Sequence, residues 1–214
     1  MTDIPTIIAC YLIGGIPVGL LVAQSKGIDI RNFGSGNIGA TNVMRAVGKP
    51  LGIMTFLVDV LKGYGPVMLA HHVVGLEGWV LGLAAGATVF GHCYSPYLGL
   101  TGGKGVATAL GIALALNWGA GLSAFGVWII VTAVTKYVSL GSIMGTSSCW
   151  MFAWLMGADA ITIITIAAIS ALSAFQHRSN IKRLLDGTEP KAGQGKKTPP
   201  AEDEEETPEK DSDE

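Results

Sequence analysis

Nine consecutive residues, Gly34-Ser35-Gly36-Asn37-Ile38-Gly39-Ala40-Thr41-Asn42, carry three glycines, two hydroxyls and two carboxamides. Glycine lets backbone N–H groups turn toward one point and lets a ligand come close to the chain. A concave run of amides of this kind suits an anion, phosphate above all. Arg45 follows shortly after and adds a forked cationic donor. A second glycine-rich turn, Gly102-Gly103-Lys104-Gly105, leads into an apolar segment, and amides at a helix start favour phosphate. His177 and Asn180 are three apart and can share a helical face. Ser142 opens another apolar segment. Ser35, Gly36, Asn37, Arg45, Gly102, Gly103, Lys104 and Ser142 are the candidate phosphate ligands, with more donors than one phosphate needs. Each also has a plainer reading. The glycines could serve close helix packing, Arg45 and Lys104 could be membrane-flanking charges, and Asn180 could cap a helix. Their shared location favours a site.

Several familiar devices are missing. There is no GxSxG nucleophile elbow. Gly99 to Lys104 misses the spacing of a Walker A loop, and Gly105 stands where Ser or Thr is required. The His-x4-Asp motif of many glycerolipid acyltransferases is absent, with His72 and Glu77 its nearest match. Cys10, Cys93 and Cys149 are scattered and read as buried apolar residues, so no metal site is expected.

The elements that hold these residues must lie in a membrane. Half of the 214 residues are hydrophobic, 14% are charged, and mean hydropathy is +0.48. Soluble domains carry about 25% charged residues. Nine of the 16 acids crowd into residues 201–214, leaving seven for the first 200. Long apolar runs with so little charge mean an integral membrane protein. Seven helices are expected, over 4–23, 51–74, 79–90, 106–116, 122–134, 138–156 and 161–175. The fourth is short, and Asp59 and Lys62 interrupt the second on one helical face. The amino end lacks a basic n-region, so its apolar run is expected to remain in the mature protein.

With the amino end outside, the inner segments 24–50, 92–105, 135–142 and 176–214 hold 13 of the 14 Lys and Arg. The positive-inside rule therefore places the carboxyl end in the cytosol. Both glycine-rich turns, Ser142 and the His177 cluster then share the cytosolic face. Residues 1–190 form one membrane domain, and the polar, acidic stretch 191–214 is expected to be disordered.

Three stretches resemble the motifs of the bacterial acyl-phosphate:glycerol-3-phosphate acyltransferase family (the PlsY type). They are Gly34–Asn42, Gly102-Gly103-Lys104-Gly105-Val106-Ala107-Thr108, and His177-Arg178-Ser179-Asn180-Ile181 with Gly187 and Glu189. The similarity runs from about residue 4 to about residue 191. It implies a seven-helix enzyme of the bacterial inner membrane with a cytosolic site. The enzyme would transfer an acyl group from acyl phosphate to the sn-1 hydroxyl of glycerol 3-phosphate. The resemblance also implies no cofactor, no nucleic acid and no obligate protein partner.

On that reading Lys104, with the Gly102 and Gly103 amides, holds one phosphate. Arg45, Ser35 and Ser142 hold the other, and the assignment can be reversed. His177 and Asn180 orient the glycerol hydroxyls. Thr41 and Asn42 support the first loop, and Glu189 braces a basic residue. His177 or a substrate phosphate oxygen accepts the hydroxyl proton. The rival reading is a transporter of phosphorylated solutes with re-entrant turns, which the short, cation-free outer connections disfavour.

Overall fold

The computed structural model describes residues 2–193. The expected disorder of the acidic tail falls on residues 194–214, outside the described residues. Ten α-helices run α1 Asp3–Gly15, α2 Val18–Gln24, α3 Ala40–Val47, α4 Lys49–His72, α5 Gly78–Cys93, α6 Val106–Leu116, α7 Trp118–Thr135, α8 Val138–Leu155, α9 Ala160–Gln176 and α10 Arg178–Leu185. Among the described residues there is no strand.

The packing is inverted relative to a water-soluble protein. Large apolar side chains face outward: Leu61 is 63% exposed, Ile130 64% and Val134 77%. Thr55, Thr88, Thr108, Ser142 and Ser173 are buried. Outward leucines and inward hydroxyls suit a hydrocarbon solvent, where small residues let helices approach and polar groups must be satisfied internally. Glycines set the closest approach. A Cβ on Gly63 of α4 would collide with the Thr108 carbonyl of α6, and one on Gly111 of α6 with the Val60 carbonyl of α4.

Three units are long and apolar enough to cross a bilayer: the α1–α2 run Asp3–Gln24, α4 and α7. The pair α9–α10, bent by 58°, makes a fourth if it is one span. At 11 residues α6 is about 16 Å long against an apolar core of about 30 Å. The first run breaks at Ile16-Pro17. Ile16 is extended with ψ 118, as the residue before a proline tends to be.

Residues 24–50, read as a loop, also contain helix α3. Val43 is buried and Ala46 and Val47 pack on the same cluster, which the surrounding polar residues hid in the sequence. Before α3, Asn42 organises the chain from within. Its Nδ2 donates to the Phe33 carbonyl at 2.8 Å and the Ile30 carbonyl at 3.3 Å, and its Oδ1 accepts from the Ser35 amide at 3.2 Å. An unsatisfied buried polar group costs about 1–3 kcal/mol. Asn42→Ala is therefore expected to destabilise the protein by about 2–4 kcal/mol. Thermal unfolding in detergent would register this as a clear fall in Tm, and an unchanged Tm would contradict Asn42's role as the anchor.

Candidate active site

The three polar stretches, far apart in sequence, line one cleft of about 1040 Å³. The first loop contributes Gly34, Ser35, Asn37, Thr41, Asn42 and Arg45. The second contributes Lys104, Gly105, Val106 and Ala107, and the third His177, Asn180, Arg183 and Glu189. Ser142 and Trp128 close one side.

A chain of hydrogen bonds joins the second stretch to the third. Lys104 Nζ donates to Asn180 Oδ1. Asn180 Nδ2 donates to Glu189 Oε1 at 2.7 Å, and Arg183 Nε donates to Glu189 Oε2 at 2.7 Å. Glu189 thus braces Arg183 and fixes the Asn180 carboxamide with its oxygen toward Lys104. Ser173 ties the base of the turn by donating to the Lys104 carbonyl at 3.2 Å. His177 is buried, and its Nδ1 lies 2.8 Å from the Ser173 carbonyl. A carbonyl only accepts, so Nδ1 carries the proton and Nε2 keeps a lone pair.

In the first loop Ser35 is exposed and Gly36 takes the left-handed conformation, φ 68. Asn37 Oδ1 accepts from the Gly39 amide at 2.8 Å, shaping the entry to α3. Arg45 makes no ion pair among the described residues. Ser142 is already engaged: its Oγ donates to the Val138 carbonyl at 2.9 Å and accepts from Trp128 Nε1 at 3.3 Å.

Three expected ligands, Gly36, Gly102 and Gly103, are not among the lining residues. The Gly36 amide donates to the Phe33 carbonyl at 2.9 Å, and the Gly103 amide to the His92 carbonyl at 3.0 Å. A Cβ on Gly102 would collide with the His92 carbonyl, and one on Gly103 with the His92 ring. Both glycines therefore admit close packing against His92, and the Gly103 amide is taken up by its carbonyl. Gly105, Val106 and Ala107, at the start of α6, line the cleft where first-turn amides have no intrahelical partner.

The family model described as glycerol-3-phosphate acyltransferase matches residues 4–187. The chain belongs to the glycerol-3-phosphate acyltransferase family. The glycerol-3-phosphate acyltransferase of Aquifex aeolicus is 44% identical over 183 residues, 86% of this chain and 95% of its own. That of Trichlorobacter lovleyi is 47% identical over 188 residues, 86% and 95% of the two chains. The crystal structure of PlsY (YgiH), an integral membrane glycerol 3-phosphate acyltransferase, in its glycerol 3-phosphate form superposes with a TM-score of 0.86. It shares 42% identity and covers 89% of this chain and 96% of that one. The lysophosphatidic acid form gives 0.84 at 40% identity, covering 89% and 95%. This acyltransferase is accordingly an all-helical membrane enzyme.

The acyltransferase cleft biases its own titrations. Burial, the largest influence, lowers Lys104 to about 8; Glu189 opposes this, and Arg183 and Arg45 reinforce it. Burial likewise holds His177 down at about 4, against the hydrogen bond to Ser173. His177 is therefore neutral at physiological pH. Glu189 is pushed up by burial but down more strongly by its hydrogen-bond donors, Asn180 and Arg183 among them, and stays ionised.

Sequence reasoning missed Arg183, Asp59 and His92 as cleft residues. Arg183 is the basic residue that Glu189 was expected to brace, without being named. Asp59 and Lys62 were visible as intramembrane charges on one face, and they pair at 2.9 Å with side chains only 4% and 6% exposed. His92 left a signal only as a histidine at the end of an apolar run. Among the described residues no three His, Cys, Asp or Glu cluster as a metal site would require.

Proposed function

We propose that this enzyme transfers a fatty acyl group from acyl phosphate to the sn-1 hydroxyl of glycerol 3-phosphate. The products are lysophosphatidic acid and inorganic phosphate. One observation carries the reading: a single cleft presents two sets of anion donors and adjoins an apolar slot. Lys104 with the α6 amides forms one set, and Arg45 with Ser35 and the first loop forms the other. The slot is lined by Ala109 and Ala113 of α6, Phe125 of α7, Gly145 and Cys149 of α8 and Ile166 of α9. It shares Phe56, Val106, Trp128 and Ser142 with the cleft. The slot offers about 50 Å³, room for the first few carbons of an acyl chain whose phosphate remains among the cations.

Acyl phosphate is a mixed anhydride with a good leaving group, so positioning and charge stabilisation suffice. The glycerol oxygen attacks the acyl carbon, and the carbon–oxygen bond to phosphate breaks. His177 Nε2 accepts the hydroxyl proton, which ends on the departing phosphate. His177 and Asn180 orient the glycerol hydroxyls, and no cofactor is required. The α1–α2 run and α4 to α9 make seven crossings of the bacterial inner membrane, the short α6 completed by the turn residues that flank it, with the cleft facing the cytosol. The Lys and Arg distribution supports this orientation.

The test is purified protein with labelled glycerol 3-phosphate and palmitoyl phosphate. Labelled lysophosphatidate is expected with acyl phosphate and not with acyl-CoA or acyl carrier protein. Equal rates from acyl-CoA would overturn the donor, and label crossing vesicles without reaction would favour the transporter.

The lowered Lys104 value makes a further expectation. In the free enzyme Lys104 loses its charge as pH rises through about 8. Here kcat/KM for glycerol 3-phosphate should fall about tenfold per unit above that pH. Bound phosphates favour the ammonium, so kcat at saturation should hold to higher pH. A kcat/KM flat from pH 7 to 10 would contradict Lys104 as a charged ligand.

A further inference from the structure

Beneath the Lys104 turn lies a buried polar cluster that the proposed chemistry does not use. Asp59 and Lys62 of α4 form its ion pair, and Lys62 Nζ also donates to the Ile16 carbonyl at 2.8 Å. That carbonyl sits at the α1–α2 break, where it also accepts from the Val18 amide at 3.0 Å. His92, in the last turn of α5, completes the cluster: its Nδ1 is 3.9 Å from Asp59 Oδ1 and 3.2 Å from Thr108 Oγ1 of α6. Asp59 Oδ1 makes no directed hydrogen bond despite the nearby ammonium. Buried ion pairs are poor stabilisers, since desolvation offsets their attraction. A stability role alone explains the cluster weakly.

His92 meets the Lys104 turn on two sides. Its carbonyl accepts the Gly103 amide at 3.0 Å. Its ring fills the place where any side chain on residue 103 would stand. The same ring faces Thr108, in the first turn of the helix whose start lines the cleft.

We propose that His92, held by Thr108 Oγ1 beside the Asp59–Lys62 pair, is a positioning residue that sets the height of the Lys104 turn and of the α6 start above the cleft floor. This rests on the functional reading above and deepens it: Thr108 orients the ring, the ring fixes the turn, and the turn aims Lys104 at the phosphate of glycerol 3-phosphate. The groups that act on Lys104 directly are Glu189, Arg183, Arg45 and His177. His92 acts on it through the main chain.

The test compares His92→Ala with His92→Asn, whose carboxamide can replace Nδ1 opposite Thr108. His92→Ala is expected to raise KM for glycerol 3-phosphate about tenfold with kcat changed less than about threefold, because ground-state and transition-state holding of the phosphate are lost together. Its alkaline limb should move upward as water reaches Lys104. His92→Asn should restore both. Unchanged KM and limb in folded His92→Ala, or damage in His92→Asn equal to that in His92→Ala, would overturn the proposal. Should His92→Ala not fold, Thr108→Val removes the hydroxyl facing Nδ1 at nearly constant shape. It should shift KM and limb in the same direction, and no shift would overturn the proposal. Acetylation of Lys104 against pH, read by peptide mass in wild type and variants, reports the same limb without substrate. A wild type inactive with acyl phosphate would then defeat the functional reading, while the acetylation limb still judges the placement of Lys104.

Discussion

Lys104→Ala is expected to lower kcat/KM by about 10³-fold or more in protein that keeps its wild-type fold. Removing one preorganised donor from a site of developing negative charge costs about 10²–10³-fold. Lys104 provides charge as well as a donor, and it sits half-buried where water screens little. The truncation also leaves Asn180 Oδ1 without its donor, loosening the carboxamide that Glu189 holds from the other side. Lys104→Arg should recover little, because a planar fork does not replace a point charge in a fitted site. Steady-state rates on both substrates decide the matter, with thermal unfolding as the control for folding. Retention of half the activity would remove Lys104 from the site.

His177→Gln is expected to lower kcat by about 10²-fold or more, the usual range for a lost general base being 10²–10⁴-fold. The Ser173 carbonyl fixes the tautomer, so Nε2 is an acceptor at every pH above about 4. A group that loses its proton so readily is a weak base in the empty cleft. Two bound phosphates change that, since their negative charge favours the imidazolium. The base is thus armed by its substrates. A fall of less than about tenfold at saturating substrate would leave His177 an orienting role only, with a phosphate oxygen taking the proton directly.

Much of this enzyme was legible in its residues. Apolar runs and swept-aside charge announced helices in a membrane, and the family motifs announced the acyltransferase. Hydroxyl and carboxamide side chains were expected at the first loop. Asn42, expected to support that loop, is its internal anchor. Gly102 and Gly103 show the limit most plainly. A glycine pair beside a lysine looks alike whether its amides face a ligand or its missing side chains admit a neighbour. The neighbour here is His92, ten residues earlier in the chain. The ion pair was readable from its three-residue spacing, but its link to the turn depends on how α4, α5 and α6 pack. Helix α3 was hidden because a short helix lacks a long apolar run, and α10 showed only in the three-residue spacing of His177 and Asn180.

The central claim is that one cleft holds two phosphorylated molecules side by side. Calorimetric titration of the purified protein with glycerol 3-phosphate, alone and then saturated with a non-transferable acyl phosphonate, tests it most directly. The expected result is one glycerol 3-phosphate per chain in both titrations, with affinity changed less than about tenfold, roughly 1.4 kcal/mol. Strict competition, with glycerol 3-phosphate excluded in proportion to the phosphonate, would mean a single phosphate subsite and would contradict the claim.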